Sequence, residues 1–99
     1  MTDREMLELA ARAVNGGSWH PLTHNAPNGD WNPRDDDGDA LRLAVYLEFE
    51  IDITSTGVAV RTRCGLKVLV NKTEEPDLCA AARLAITRAA AEIGRQMEE

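Results

Sequence analysis

The side chains able to do chemistry in this chain are few and unevenly placed. Four aspartates, Asp35, Asp36, Asp37 and Asp39, fall within five residues, His20 and His24 stand four apart, and the two cysteines are Cys64 and Cys79. Set against an EF-hand frame, Asp35, Asp37 and Gly38 take the third, fifth and sixth places. Pro33 and Ala44 would then hold the first and twelfth places, which removes two oxygen ligands that a calcium loop needs. The histidines would share a metal only on a helix, and Pro21 with the Asn, Gly and Pro around it opposes one. They read as packing or solvent-facing groups. Cys79 falls in the first turns of a helix, a position that can activate a thiol, but neither cysteine has an evident partner base. Both read as small buried apolar groups. Ser18 and Ser55 sit in turn-like contexts, and the chain has no nucleophile elbow, phosphate-cradling glycine loop or dinucleotide fingerprint. The expectation is a chain with no catalytic residue, no metal and no cofactor.

Charge is the more informative feature. The 99 residues carry a net charge of −6, and residues 30–52 hold eight acids against Arg34 and Arg42, which accounts for all of it. An acidic chain is a poor ligand for nucleic acid or an anionic membrane. The same run can cap a helix, or it can form a field that attracts Lys- and Arg-rich surfaces, as the phosphate row of DNA does. No stretch approaches the length of a membrane span, and the opening Met-Thr-Asp-Arg-Glu lacks the segments of a signal peptide. Two cysteines are too few for a disulfide scaffold and suit a reducing cytoplasm.

The elements that would position these residues follow from periodicity. Thr2 and Glu5 form a capping box for a helix at 3–14, with Met6, Leu9, Ala10 and Ala13 on its apolar stripe and Asn15-Gly16-Gly17 ending it. Residues 18–38 lack periodicity and read as an ordered loop tied down by Trp19 and Trp31. Residues 39–53 fit a strict alternation as well as a helical stripe. Ala and Leu favour a helix at 39–47, capped by Asp37 or Asp39, and Phe-Glu-Ile-Asp-Ile favours a strand at about 49–54.

A turn at Ser55 and Thr56 would set Ile53 against Val58 and Ile51 against Val60 on the buried side of the sheet. It also sets Glu50 against Arg61 and Glu48 near Arg63. Strands at 58–63 and 66–71 would then join through a three-residue loop centred on Gly65, pairing Thr62 with Val68 and Val60 with Val70. A last helix at 76–97 would bury Leu78, Ala82, Ala85, Ile86, Ala89, Ile93 and Met97, leaving Arg83 and Arg88 to water. The predicted fold is a single α+β domain, order α-α-β-β-β-α, with helices over one face of a three-stranded antiparallel meander.

The run from Trp31 through Asn32, Pro33, the acidic patch and Asp39-Ala40-Leu41-Arg42-Leu43-Ala44-Val45 resembles small proteins encoded by phages and prophages of proteobacteria, the NinX-like family of unknown function. The two terminal helices are similar to that family's ends, whereas Arg34 and Asp35 depart from its pattern and Phe49 to Asn71 has no match to it. The resemblance implies a helix at 39–47, a phage origin and the host bacterial cytoplasm, and it implies no catalytic residue.

Together these readings predict a non-enzymatic accessory protein that binds and inhibits a host protein complex. The concrete form is an anti-CRISPR-like inhibitor of a nucleic-acid-binding defence effector. Asp30, Asp35, Asp36, Asp37 and Asp39 would make the contact, and Trp31 would either anchor the loop or touch the partner. The alternative is a homodimer joined through the edge strand at 66–70, and a metal-dependent enzyme using the loop histidines and aspartates is a third.

Overall fold

The computed structural model describes residues 2–15 and 31–98. Trp19, His20, His24 and Asp30 therefore lie outside the described residues, as does most of the loop expected at 18–38. The described chain is α+β in the predicted order: α1 (Asp3–Asn15), α2 (Asp37–Tyr46), β1 (Glu50–Thr54), β2 (Gly57–Arg61), β3 (Lys67–Asn71) and α3 (Leu78–Glu98). A 3-10 turn, Lys72–Glu74, joins β3 to α3. The strands form one antiparallel sheet ordered β1-β2-β3.

Local chemistry starts and stops each helix. At α1 the capping box forms: the Glu5 amide donates to Thr2 Oγ1 at 3.1 Å and the Thr2 amide donates to Glu5 Oε1 at 3.4 Å. Helix α2 begins one step before the expected caps, because Asp36, not Asp37 or Asp39, has extended backbone and accepts the Asp39 amide at 2.8 Å. Helix α3 starts at Leu78 rather than 76. The Ala80 amide donates to Asp77 Oδ1 at 2.8 Å, so Asp77 is the cap and Pro76 precedes it.

The end of α2 is a Schellman motif. The Phe49 amide reaches the Ala44 carbonyl at 2.9 Å and the Glu48 amide reaches Val45 at 3.2 Å, with Glu48 in the left-handed region at φ 58°. Glutamate in that conformation is held there by its neighbours, including an ion pair to Arg63 at 2.6 Å.

Helix α3 is the centre of the core. It packs against α1, α2, β2 and β3, and so it is buried on more than one side. Ala81, Ala85, Ala89, Ala90, Ala91 and Thr87 are fully buried, whereas Met97, expected on the core stripe, is half-exposed. A stripe reading assumes a surface helix with one buried side, and α3 has a sheet on one side and helices on the other. Small side chains let α1 approach closely: any side chain at Gly94 would overlap the Leu9 carbonyl oxygen.

The first hairpin has the predicted register, with Ile53 opposite Val58, Ile51 opposite Val60 and Glu50 opposite Arg61. The second is shifted by two residues from expectation: Val60 pairs with Val68 and Val58 with Val70. The loop does have three residues, Arg63 to Gly65, closed by the Thr62 amide donating to Leu66 O at 2.8 Å. Gly65, at φ 94°, is its last residue rather than its centre, the position where such loops need a left-handed residue. A shift of two keeps each side chain on its expected face, so Val58, Val60, Val68 and Val70 are all buried. Strand β1 lies mostly beyond the reach of α3. Ile53, expected to be buried with Val58, faces the helix side but is 59% exposed.

In urea denaturation, Glu48→Gly is expected to be about 1 kcal/mol more stable than Glu48→Ala, since both lose Arg63 and only glycine relieves the left-handed backbone. Equal stabilities would show that Glu48 carries no backbone cost.

Candidate functional site

The aspartate run folds into a turn and the first turn of α2, and its carboxylates serve the structure first. Asn32 nucleates the turn. Its carbonyl accepts the amides of Asp35 at 3.2 Å and Asp36 at 2.9 Å, and its side-chain Nδ2 donates to Asp35 Oδ2 at 3.0 Å. An Asn before a Pro favours this closure, because the Asn side chain mimics a further turn of backbone. Pro33 is fully buried beneath it. Asp36 caps α2, and Asp39 turns inward, accepting the Asn32 amide at 2.8 Å and Arg42 at 2.7 Å.

Two arginines tie this turn to the rest of the molecule. Arg83 of α3 donates to the Arg34 carbonyl at 3.2 Å and to Asp37 Oδ1 at 2.5 Å, and Asp37 raises the guanidinium pKa above its ordinary value. Arg34 pairs with Glu75, both side chains being mostly buried. A buried pair of this kind fixes position more than it adds stability, since both charges have left water. Trp31 lies at the base, 2% exposed, and its indole Nε1 finds no acceptor among the described residues. It is an anchor in the core, not a surface contact. Arg83, read from sequence as facing water, is half-buried and is the main strut of the site.

Asp35, Asp36 and Asp37 remain exposed, whereas the Asp39 side chain is 14% exposed. The described part of the expected contact set therefore divides into three exposed carboxylates that also hold the turn, one inward carboxylate and one core tryptophan. The acid field is also more divided than composition implies, because Arg34, Arg42 and Arg83 all lie against this turn. Of the remaining acids of the segment, Glu48 lies in the motif that ends α2, and Glu50 and Asp52 lie in β1. Glu48 is paired with Arg63, and among the described residues neither Glu50 nor Asp52 makes an ion pair.

Both cysteines are exposed, which corrects the expectation that they are small buried groups. Cys64 lies at the centre of the tight loop between β2 and β3, and Cys79 lies on the outer side of the first turn of α3. The Thr62 hydroxyl lies 3.1 Å from Cys64 Sγ and, with the Leu66 amide, lowers the thiol pKa by favouring the thiolate. Among the described residues no group of three His, Cys, Asp or Glu side chains is placed to hold a metal ion. No helix among them is long and apolar enough to cross a membrane.

The sequence reading missed Asn32, Glu75 and Arg83. Asn32-Pro33 was a legible turn signal, but nothing in the sequence connects residue 34 to residue 75 or residue 37 to residue 83. Comparison of the chain with protein-family models, curated proteins and solved structures gives no match.

A lowered pKa places more thiolate at any pH below the ordinary thiol value, so the reaction rate rises earlier as pH increases. In a Cys79→Ser background, iodoacetamide labelling of Cys64 is expected to show a pH midpoint below that of free cysteine. A midpoint at the free-cysteine value would show that Thr62 does not stabilise the thiolate.

Proposed function

We propose that this chain is a non-enzymatic binding module of phage type, which inhibits a host protein complex through its acidic surface. The observation that carries this reading is the presentation of three exposed carboxylates, Asp35, Asp36 and Asp37, on a turn tied to α3 by Arg83 and to Glu75, in the connection before α3, by Arg34. Carboxylates held in place lose little freedom on meeting a basic surface, and their field speeds encounter with it. The resemblance of residues 31–45 to NinX-like phage proteins supports a host-directed role. It favours a cytoplasmic target such as a nucleic-acid-binding defence effector, whose groove is lined by Lys and Arg.

A second reading is self-association through β3, favoured by Leu69, which is 62% exposed on an edge strand.

Affinity capture from a host lysate expressing its defence systems tests the first reading. A partner retained at low salt, released at high salt and absent when Asp35→Asn, Asp36→Asn and Asp37→Asn are combined is the expected result. Asparagine retains the helix cap at position 36 and an oxygen that can accept from Arg83 at position 37, and protection of the Asn32 and Asp39 amides in the triple variant checks that the turn is intact. Equal capture by the triple variant would remove the acidic turn as the contact, and recovery of the bait alone as a dimer would favour self-association.

A further inference from the structure

The sheet has two edges, and they are not equivalent. Register and hairpin geometry determine which backbone groups face out. Thr62 with Leu66 and Thr56 with Lys72 are hydrogen-bonded pairs across β2 and β3, so Val58 and Val60 bond towards β3. Gly57, Ala59 and Arg61 therefore bond towards β1, where they meet Thr54, Asp52 and Glu50. By alternation, Ile51 and Ile53 of β1 turn their N–H and C=O groups away from the sheet. Among the described residues no strand pairs with that edge. On β3 the outward amide of Asn71 is already taken by Glu74 Oε2 at 3.0 Å, and Lys67 places a cation on the edge.

The side chains of β1 state what would suit its free edge. Ile51 and Ile53 lie on the helix side, with Ile53 59% exposed. Glu50 and Asp52 lie on the opposite, outer side, and neither is in an ion pair among the described residues, although Arg61 stands opposite Glu50 on β2. The two acids border an open depression of about 290 Å³ on the outer sheet face, which Ala59, Arg61 and Lys67 also line, so the carboxylates stand at its β1 side and the cations towards β2 and β3. A second copy pairing antiparallel about Asp52 would set Asp52 against Asp52 and is opposed by like charge. A strand with basic residues on one side and apolar residues on the other meets Glu50 and Asp52 on the first side and Ile51 and Ile53 on the second.

We propose that the free edge of β1 binds an extended peptide segment of alternating apolar and basic residues, added antiparallel as a fourth strand. Two residues of the peptide exchange N–H and C=O bonds with Ile51 and Ile53 and place apolar side chains beside them. The intervening and following residues, Lys or Arg, face Asp52 and Glu50. Main-chain bonds supply affinity, and the two carboxylates select against apolar or acidic strands. This names the partner class for the binding module proposed above and rests on that reading, but it uses a different surface from the Asp35–Asp37 turn.

The test is fluorescence anisotropy with a labelled peptide Thr-Val-Lys-Val-Arg-Thr, against Thr-Val-Glu-Val-Glu-Thr as control, on the full chain. Binding of the basic peptide only is expected, with shifts of the Ile51 and Ile53 amides in NMR spectra. Proline is tolerated on an edge strand where its nitrogen faces solvent, so Ile53→Pro should fold and weaken binding at least about fivefold. Asp52→Lys should weaken it by a similar factor and transfer preference to the acidic peptide. Combining Asp35→Asn, Asp36→Asn and Asp37→Asn should leave peptide binding unchanged. Undiminished binding by folded Ile53→Pro, amide shifts confined to the acidic turn, or a β1-mediated dimer without peptide would overturn the proposal. Loss of lysate capture in the triple aspartate variant with peptide binding intact would separate the two surfaces.

Discussion

The acidic turn of this protein is positioned through α3, by way of Arg83. The helix lies between α1 and the sheet, and α2 packs against it as well. Such a place is open only to a helix with small side chains, and the run of fully buried alanines meets that requirement. Close packing around alanine leaves little volume in which the surrounding elements can shift. The strut Arg83, which leaves α3 towards the acidic turn, therefore starts from a fixed base.

This dependence changes the meaning of the aspartate run. In composition it is a block of negative charge. In the fold, Asp36 caps a helix, Asp39 closes the turn onto Asn32, and Asp37 receives Arg83. Structural and binding roles are not exclusive, because a carboxylate can accept several hydrogen bonds and keep oxygen atoms open to solvent. Asp35, Asp36 and Asp37 each take part in the turn and still stay exposed, whereas Asp39 is turned inward. The acids of β1 follow a different logic: Glu50, opposite Arg61, and Asp52 make no ion pair among the described residues and stand beside a strand edge, where charge affects which strands can approach.

Much of the fold was legible because local signals agreed with global packing. The Thr2–Glu5 capping box, the choice of helix over strand after Asp39, and the first hairpin register all stand as read. Misreadings came where one local signal had two structural outcomes. Gly65 marks a three-residue loop whether it is central or last, and only the second choice gives the observed pairing. Ile53 alternates correctly with Val58, but sequence does not say where the covering helix ends. The site was half legible. The exposed acids are plain in the chain, whereas the Arg34–Glu75 and Arg83–Asp37 ties join residues more than forty positions apart and leave no periodic trace.

Native-state amide hydrogen exchange of the wild-type chain and of Arg83→Ala tests most directly whether the acidic turn is a fixed part of the core. In the wild type, the Asn32, Asp36 and Asp39 amides should be strongly protected, and in Arg83→Ala that protection should fall by roughly tenfold or more while Ala85 and Ala89 keep theirs. Near-intrinsic exchange of the three turn amides in the wild type, or protection unchanged by loss of Arg83, would contradict the anchoring on which the binding surface rests.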